Sequence, residues 1–145
     1  FRLMERIYSQ KFCMIGNGKN RKSIAYVGNL VMFILKTLDF DKGVHIYNYA
    51  DKSDYQMNEF IRVIYNNMQL SPSIIRFPYF LGYLLAIFLD FISSLINKNF
   101  SISKVRVQKF CADSIISTRK LDSIDFNPAY KLSEALRITI KNEFS

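Results

Sequence analysis

Gly16-Asn17-Gly18-Lys19-Asn20-Arg21-Lys22-Ser23-Ile24-Ala25-Tyr26-Val27-Gly28-Asn29-Leu30 compresses a glycine turn, a cationic run, a β-type run and a helix start into fifteen residues. Gly16 and Gly18 permit positive φ without a Cβ clash, so the chain reverses there. Lys19, Arg21 and Lys22 follow at once, and Ser23 to Val27 reads as a short strand. Asn29 reads as the N-cap of an apolar helix from Leu30 to Leu38. A cation fixed between a turn and a strand is suited to gripping a phosphate.

Working outward, Lys11 to Ile15 forms a strand into the turn, behind a helical spacing of Phe1, Met4, Ile7 and Tyr8. Val44 to Tyr49 reads as a strand, and Met57, Phe60, Ile61, Ile64 and Met68 mark a helix. Ser71-Pro72 breaks that helix, and Ile74 to Phe77 is a short extended run ended by Pro78. Val105 to Ala112 is a shorter helix or turn, Ser117 to Asp122 another, and Leu132, Ala135, Leu136 and Ile140 mark the last helix. Short strands among several helices make the chain α/β, one domain over residues 1–145.

Several blocks together resemble the C-terminal half of the extended short-chain dehydrogenase/reductases. They are Phe12-Cys13-Met14-Ile15-Gly16-Asn17-Gly18-Lys19-Asn20 and Lys22-Ser23-Ile24-Ala25-Tyr26-Val27-Gly28-Asn29-Leu30. Then come Gly43 to Asp51, Ile75-Arg76-Phe77-Pro78-Tyr79, Phe126-Asn127-Pro128 and Leu132-Ser133-Glu134-Ala135-Leu136, in the family's order. The pattern is most similar to the nucleotide-sugar epimerases and dehydratases of polysaccharide biosynthesis, of the UDP-galactose 4-epimerase kind. The resemblance implies the substrate-binding part of an NAD-dependent, Rossmann-type enzyme. Its NAD-binding half carries a Gly-rich turn and a Tyr-x-x-x-Lys pair. Neither motif occurs here, since no Tyr has Lys four residues on. The expectation is therefore a fragment that lacks most of the Rossmann half, with no catalytic residue of its own and with NAD held by the missing part.

What the family implies for the site is specific. A cation just after the glycine turn contacts the diphosphate of a UDP-sugar, and Lys22 falls in that register, with Arg21 as its neighbour. A second diphosphate arginine falls on Arg106, and Lys109 lies one helical turn on. The strand containing Cys13 and Ile15 resembles one whose main chain pairs with the uracil edge. The family's nearby Tyr position holds Asp113 here, so that role does not transfer.

Composition supports a folded, basic protein. The chain has 145 residues, net charge +8, and 50% apolar content, including 13 Phe and 9 Tyr but no Trp. Cations outnumber acids six to one within residues 1–22 and again within residues 98–120, whereas Asp39 to Glu59 is acidic. Two basic segments can converge on one anion. A nucleic-acid-binding module is the alternative reading, but no helix-turn-helix, zinc finger or ribonucleoprotein motif accompanies the charge. Two distant cysteines and a single histidine, His45, suit neither a disulfide scaffold nor a soft-ligand metal site. His45 and Asn48 read as structural, and Asp51 and Asp54 as solvated turn residues. Reduced thiols point to the cytoplasm.

Tyr79 to Ile96 is apolar nearly all round, broken by Gly82, Asp90, Ser93 and Ser94. Its 18 residues would span about 27 Å, close to the hydrocarbon thickness of a bilayer. Asp90 well inside it argues against spanning. The reading adopted is a helix buried between lobes or subunits, with homo-oligomerisation as a corollary. Membrane contact, as in a membrane-associated reductase or dehydrogenase of the same superfamily, is the alternative.

Overall fold

The computed structural model describes residues 2–51, 54–72, 74–96 and 103–144; Phe1 and the start of the second basic segment lie outside them. The described residues form six α-helices, two short 3-10 helices and four short strands. Helix α1 (Arg2–Tyr8) leads into β1 (Cys13–Ile15), and after the glycine turn β2 (Arg21–Lys22) precedes α2 (Val27–Lys36). Strand β3 (Tyr55–Gln56) opens α3 (Met57–Asn67), and β4 (Ile75–Phe77) opens α4 (Tyr79–Ile96). Helices α5 (Lys104–Cys111) and α6 (Leu132–Phe144) follow.

The core forms where the 3.6-residue stripes meet. Met57, Ile61, Ile64 and Tyr65 of α3 pack with Leu132, Leu136 and Ile140 of α6, and Ile7 and Met14 join them from α1 and β1. Ile7, Met14, Ile61 and Ile64 are wholly buried, each worth about 1.5–3 kcal/mol relative to exposure. Strand β1 pairs in parallel with β4, Cys13 opposite Ile75 and Ile15 opposite Phe77. Gly16 N–H extends that ladder to Phe77 O at 2.9 Å. Strands β2 and β3 form a separate antiparallel pair, Lys22 opposite Tyr55.

Four local readings are corrected. Ser23 to Val27 is not a strand: β2 ends at Lys22, and α2 begins at Val27. Ser23 is held by side-chain chemistry instead, its hydroxyl donating to Asp54 Oδ1 at 2.6 Å and accepting from Ile116 N–H. Asn29 is not an N-cap. It lies inside α2, wholly buried, with its amide donating to Asp51 Oδ1 and Tyr130 O while its oxygen accepts from Tyr130 N–H. Val44 to Tyr49 carries no strand ladder among the described residues. Asp51 is no solvated turn residue, because it also accepts from Tyr26 N–H and Tyr49 O–H. That contact and burial push the Tyr49 phenol well above its usual range, burial being the larger cause. Asp54, likewise, is engaged by Ser23.

Helix α4 has the bounds its sequence gives, but its outer face is exposed. Only Gly82 and Ala86 are buried. A Cβ on Gly82 would stand 2.7 Å from Ile15 Cγ2, so the missing side chain is what brings α4 onto β1. Asp90 accepts the Lys104 N–H at 2.9 Å and joins α4 to the start of α5.

Candidate functional site

The glycine turn is a structural hub. Gly16 and Gly18 take φ of +85° and +66°. Asn58, at the start of α3, donates from its side chain to Asn17 O and from its backbone to Gly18 O. Arg76 of β4 reaches Asn17 O and Asn58 Oδ1 at 3.4 and 3.3 Å. The turn is thereby clamped between a strand and a helix start.

The cations that follow it act locally. Lys22 Nζ donates to Lys109 O at 2.8 Å and Ala112 O at 2.6 Å, and Asn20 Nδ2 donates to Phe110 O at 2.8 Å. These are the orphan carbonyls at the C-terminal end of α5, where a cation also meets the negative end of the helix dipole. Two of the three Lys22 donors are therefore engaged by the protein itself. Arg21 pairs its backbone N–H with Asp113 Oδ1 at 2.7 Å and leans its guanidinium on Asp54 O. The residue that replaces the family's tyrosine thus anchors β2. Lys109 contributes its carbonyl to Lys22, and its side chain is exposed.

Arg106, Cys13 and Ile15 do come together. They line a groove of about 450 Å³ between β1, α4 and α5, together with Phe12, Phe77, Gly82, Leu85, Val107 and Phe110. Arg6 and Lys11 complete its wall. The groove therefore pairs an apolar floor with three cations, drawn from both basic segments. A second cavity, of about 470 Å³, lies on the other side of Ile15 and is lined by the glycine turn, Tyr79 and Cys111. Burial pushes both thiols up; at Cys111 the nearby Lys22 charge opposes part of the rise. Both cysteines are free.

Arg6 and Lys11 were visible in the sequence as charge but not as site residues. Only the pairing of β1 beneath α5 brings them alongside Arg106. Phe77 and Leu85 carry no sequence signal beyond hydrophobicity.

The glycine turn clamped under a short parallel strand pair, with a cation-walled groove beneath two helices, belongs to a fold shared with part of two solved enzymes. UDP-glucose 4-epimerase of Thermotoga maritima, solved with UDP-glucose, superposes at a TM-score of 0.61 and 14% identity, over 97% of this chain and 37% of that one. dTDP-glucose 4,6-dehydratase of Bacillus anthracis, solved with NAD, gives 0.61 and 13% over 97% and 37%.

The chain is similar in sequence to an epimerase and shares its fold with enzymes of the epimerase/dehydratase type. Among curated proteins, the N-acetyl-alpha-D-glucosaminyl-diphospho-ditrans,octacis-undecaprenol 4-epimerase of Escherichia coli O157:H7 is 37% identical over 145 residues, 99% of this chain and 44% of that protein. The uncharacterized protein y4nL of Sinorhizobium fredii is 34% identical over 79 residues, 50% of this chain and 22% of that one. The chain thus spans less than half the length of the curated relatives it matches. No family model matches it.

Proposed function

We propose that this chain forms the substrate-side part of an NAD-dependent epimerase or dehydratase acting on a sugar linked through a diphosphate. The observation that carries the reading is the convergence of Arg6, Lys11 and Arg106 on one groove floored by β1. A diphosphate needs several cations at once, and an arginine fork meets phosphate oxygens two at a time. The known relatives agree: one acts on a sugar-diphospho-undecaprenol, and a structural neighbour holds UDP-glucose. The reaction belongs in the cytoplasm.

The residues described here do not fit NAD. A dinucleotide pyrophosphate sits at a helix N-terminus opened by a glycine turn. Here the turn runs into β2 instead of a helix. The cofactor is assigned to the part of the enzyme outside this chain. What these residues do is bind and orient. Arg106 anchors the diphosphate, Arg6 and Lys11 balance its remaining charge, and the Cys13 and Ile15 side of β1 supports the group beyond it. Lys22 acts one step away, by fixing the end of the helix that carries Arg106.

In the intact enzyme, Arg106→Ala raises KM for the diphosphate sugar about 10- to 100-fold, the loss of one or two charge-assisted bonds. NAD affinity stays unchanged. Equal loss of both affinities marks misfolding, and no loss of either refutes the assignment.

The carrier beyond the diphosphate admits a second reading, a polyprenol instead of a nucleoside. The groove favours it, because Leu85, which lines it, also stands on the exposed apolar face of α4. Turnover of N-acetylglucosaminyl-diphospho-polyprenol and of UDP-N-acetylglucosamine by the same preparation separates the two.

A further inference from the structure

We propose that α4 is an in-plane membrane-docking helix, which lies half-immersed in the face of an anionic bilayer and turns the groove toward the lipid. For the origin of the substrate this rests on the polyprenol reading above; the docking itself is measured without substrate.

The helix is 18 residues long, with mean hydropathy 1.9 and 11% of its residues buried. A helix of that composition in a soluble core would be mostly buried. Instead Phe80, Leu84, Phe88, Phe91 and Leu95 stand 66, 46, 59, 61 and 68% exposed. At about 100° per residue, these side chains with Leu81, Leu85 and Ile87 cover roughly half the circumference in one unbroken arc. The opposite side is committed to protein. Gly82 abuts Ile15, Ala86 is buried, and Asp90 accepts the Lys104 N–H. A helix fastened along one side cannot be surrounded by lipid, so it lies in the interface and does not cross it.

Charge selects the partner. The apolar arc is bordered by cations: Lys104, whose ammonium stands 5.7 Å over the Tyr83 ring, and Arg106, Arg6 and Lys11, which line the groove with Leu85. A second copy of this face would bring those like charges together around a two-fold axis. Phosphatidylglycerol headgroups would neutralise them, each Lys or Arg near such a surface adding to the attraction.

The test is flotation of the intact protein with vesicles of phosphatidylcholine containing phosphatidylglycerol. Binding is expected at low salt, weaker at high salt, and weaker still on phosphatidylcholine alone. Phe88→Asp and Leu84→Asp, each at an exposed position, should lower the vesicle partition coefficient at least about tenfold with the circular dichroism unchanged. Phe88→Trp adds an indole to a stretch of sequence that has none, and its signal is read as the difference from the parent protein. Its emission should shift blue on vesicles and be quenched by brominated lipid. Three results overturn the proposal: no flotation at low salt, flotation unaffected by both Asp variants, or an indole emission of the Phe88→Trp variant that vesicles leave unchanged. If the Asp variants break up an oligomer while no variant or parent binds vesicles, the face belongs to a second copy and the docking is refuted. Flotation together with turnover confined to UDP-sugars would keep the docking and reject the polyprenol substrate.

Discussion

Asn29→Ala removes the centre of the polar knot that joins α2, Asp51 and Tyr130. Three hydrogen bonds disappear, at 3.1, 2.9 and 3.1 Å. The first ends on a carboxylate and is worth about 1.5–3 kcal/mol, and each of the others about 1 kcal/mol. Asn29 is fully buried, so Tyr130 N–H and C=O lose their side-chain partner away from bulk water. The expected loss is about 3–5 kcal/mol, which lowers the urea midpoint by roughly 1.5–2.5 M at a slope of about 2 kcal/mol per M. Urea unfolding of the intact protein, followed by circular dichroism, measures it. Asn29→Asp should be at least as damaging, because it sets a second carboxylate against Asp51 and removes both donors. Adding Asp51→Asn to Asn29→Asp restores a donor between the two positions and should recover about 1 kcal/mol or more. A midpoint shift under about 0.5 M for Asn29→Ala, or no recovery in the double variant, refutes the account of the knot.

Gly82→Ala forces Ile15 or α4 to move, since the new Cβ would meet Ile15 Cγ2 at 2.7 Å; a loss of about 1–3 kcal/mol is expected by thermal unfolding, with a weaker KM for the sugar substrate. Lys22→Met removes the charge that opposes the rise in the Cys111 pKa, so alkylation of Cys111 by iodoacetamide should slow at neutral pH; mass spectrometry of the labelled peptide reads it. Tyr49 has a folded pKa above its unfolded value, so the stability linked to it is complete below the unfolded pKa and is lost as pH rises through the folded one. Melting temperature should therefore fall above about pH 10, and Tyr49→Phe should flatten that fall.

Elements built on local periodicity were legible in the sequence. The α3 stripe and both ends of α4 follow directly from spacing and from Pro78, and β1 and β4 lie where short apolar runs stop at Gly16 and Pro78. The two residues read most differently, Lys22 and Asn29, owe their roles to partners 87 to 101 positions away. The sequence read them as a phosphate-gripping cation and a helix N-cap, whereas the structure uses Lys22 at the end of α5 and buries Asn29 inside α2. The acceptor identities depended on where α5 and Tyr130 are placed, which no local window contains. The site shows the same division. Arg106, Cys13 and Ile15, singled out from the resemblance, line one groove, and Arg6 and Lys11 join them only through tertiary packing.

The Asn29–Tyr130 bonds also bear on how the protein is made. They close a loop of 101 residues, and β1 waits for β4 across most of the intervening helices. A chain emerging from the ribosome N-terminus first presents α2 long before Tyr130 leaves the exit tunnel. During that interval Asn29 has no Tyr130 to hold, and Phe33 of α2, which the finished fold buries beside Phe126, lies on an unanchored helix. Long-range closure of this kind slows folding and lengthens the exposure of apolar surface. Synthesis of the last quarter of the chain is thus the step at which the fold locks, and a pause before residue 130 would leave nascent chains most in need of a chaperone.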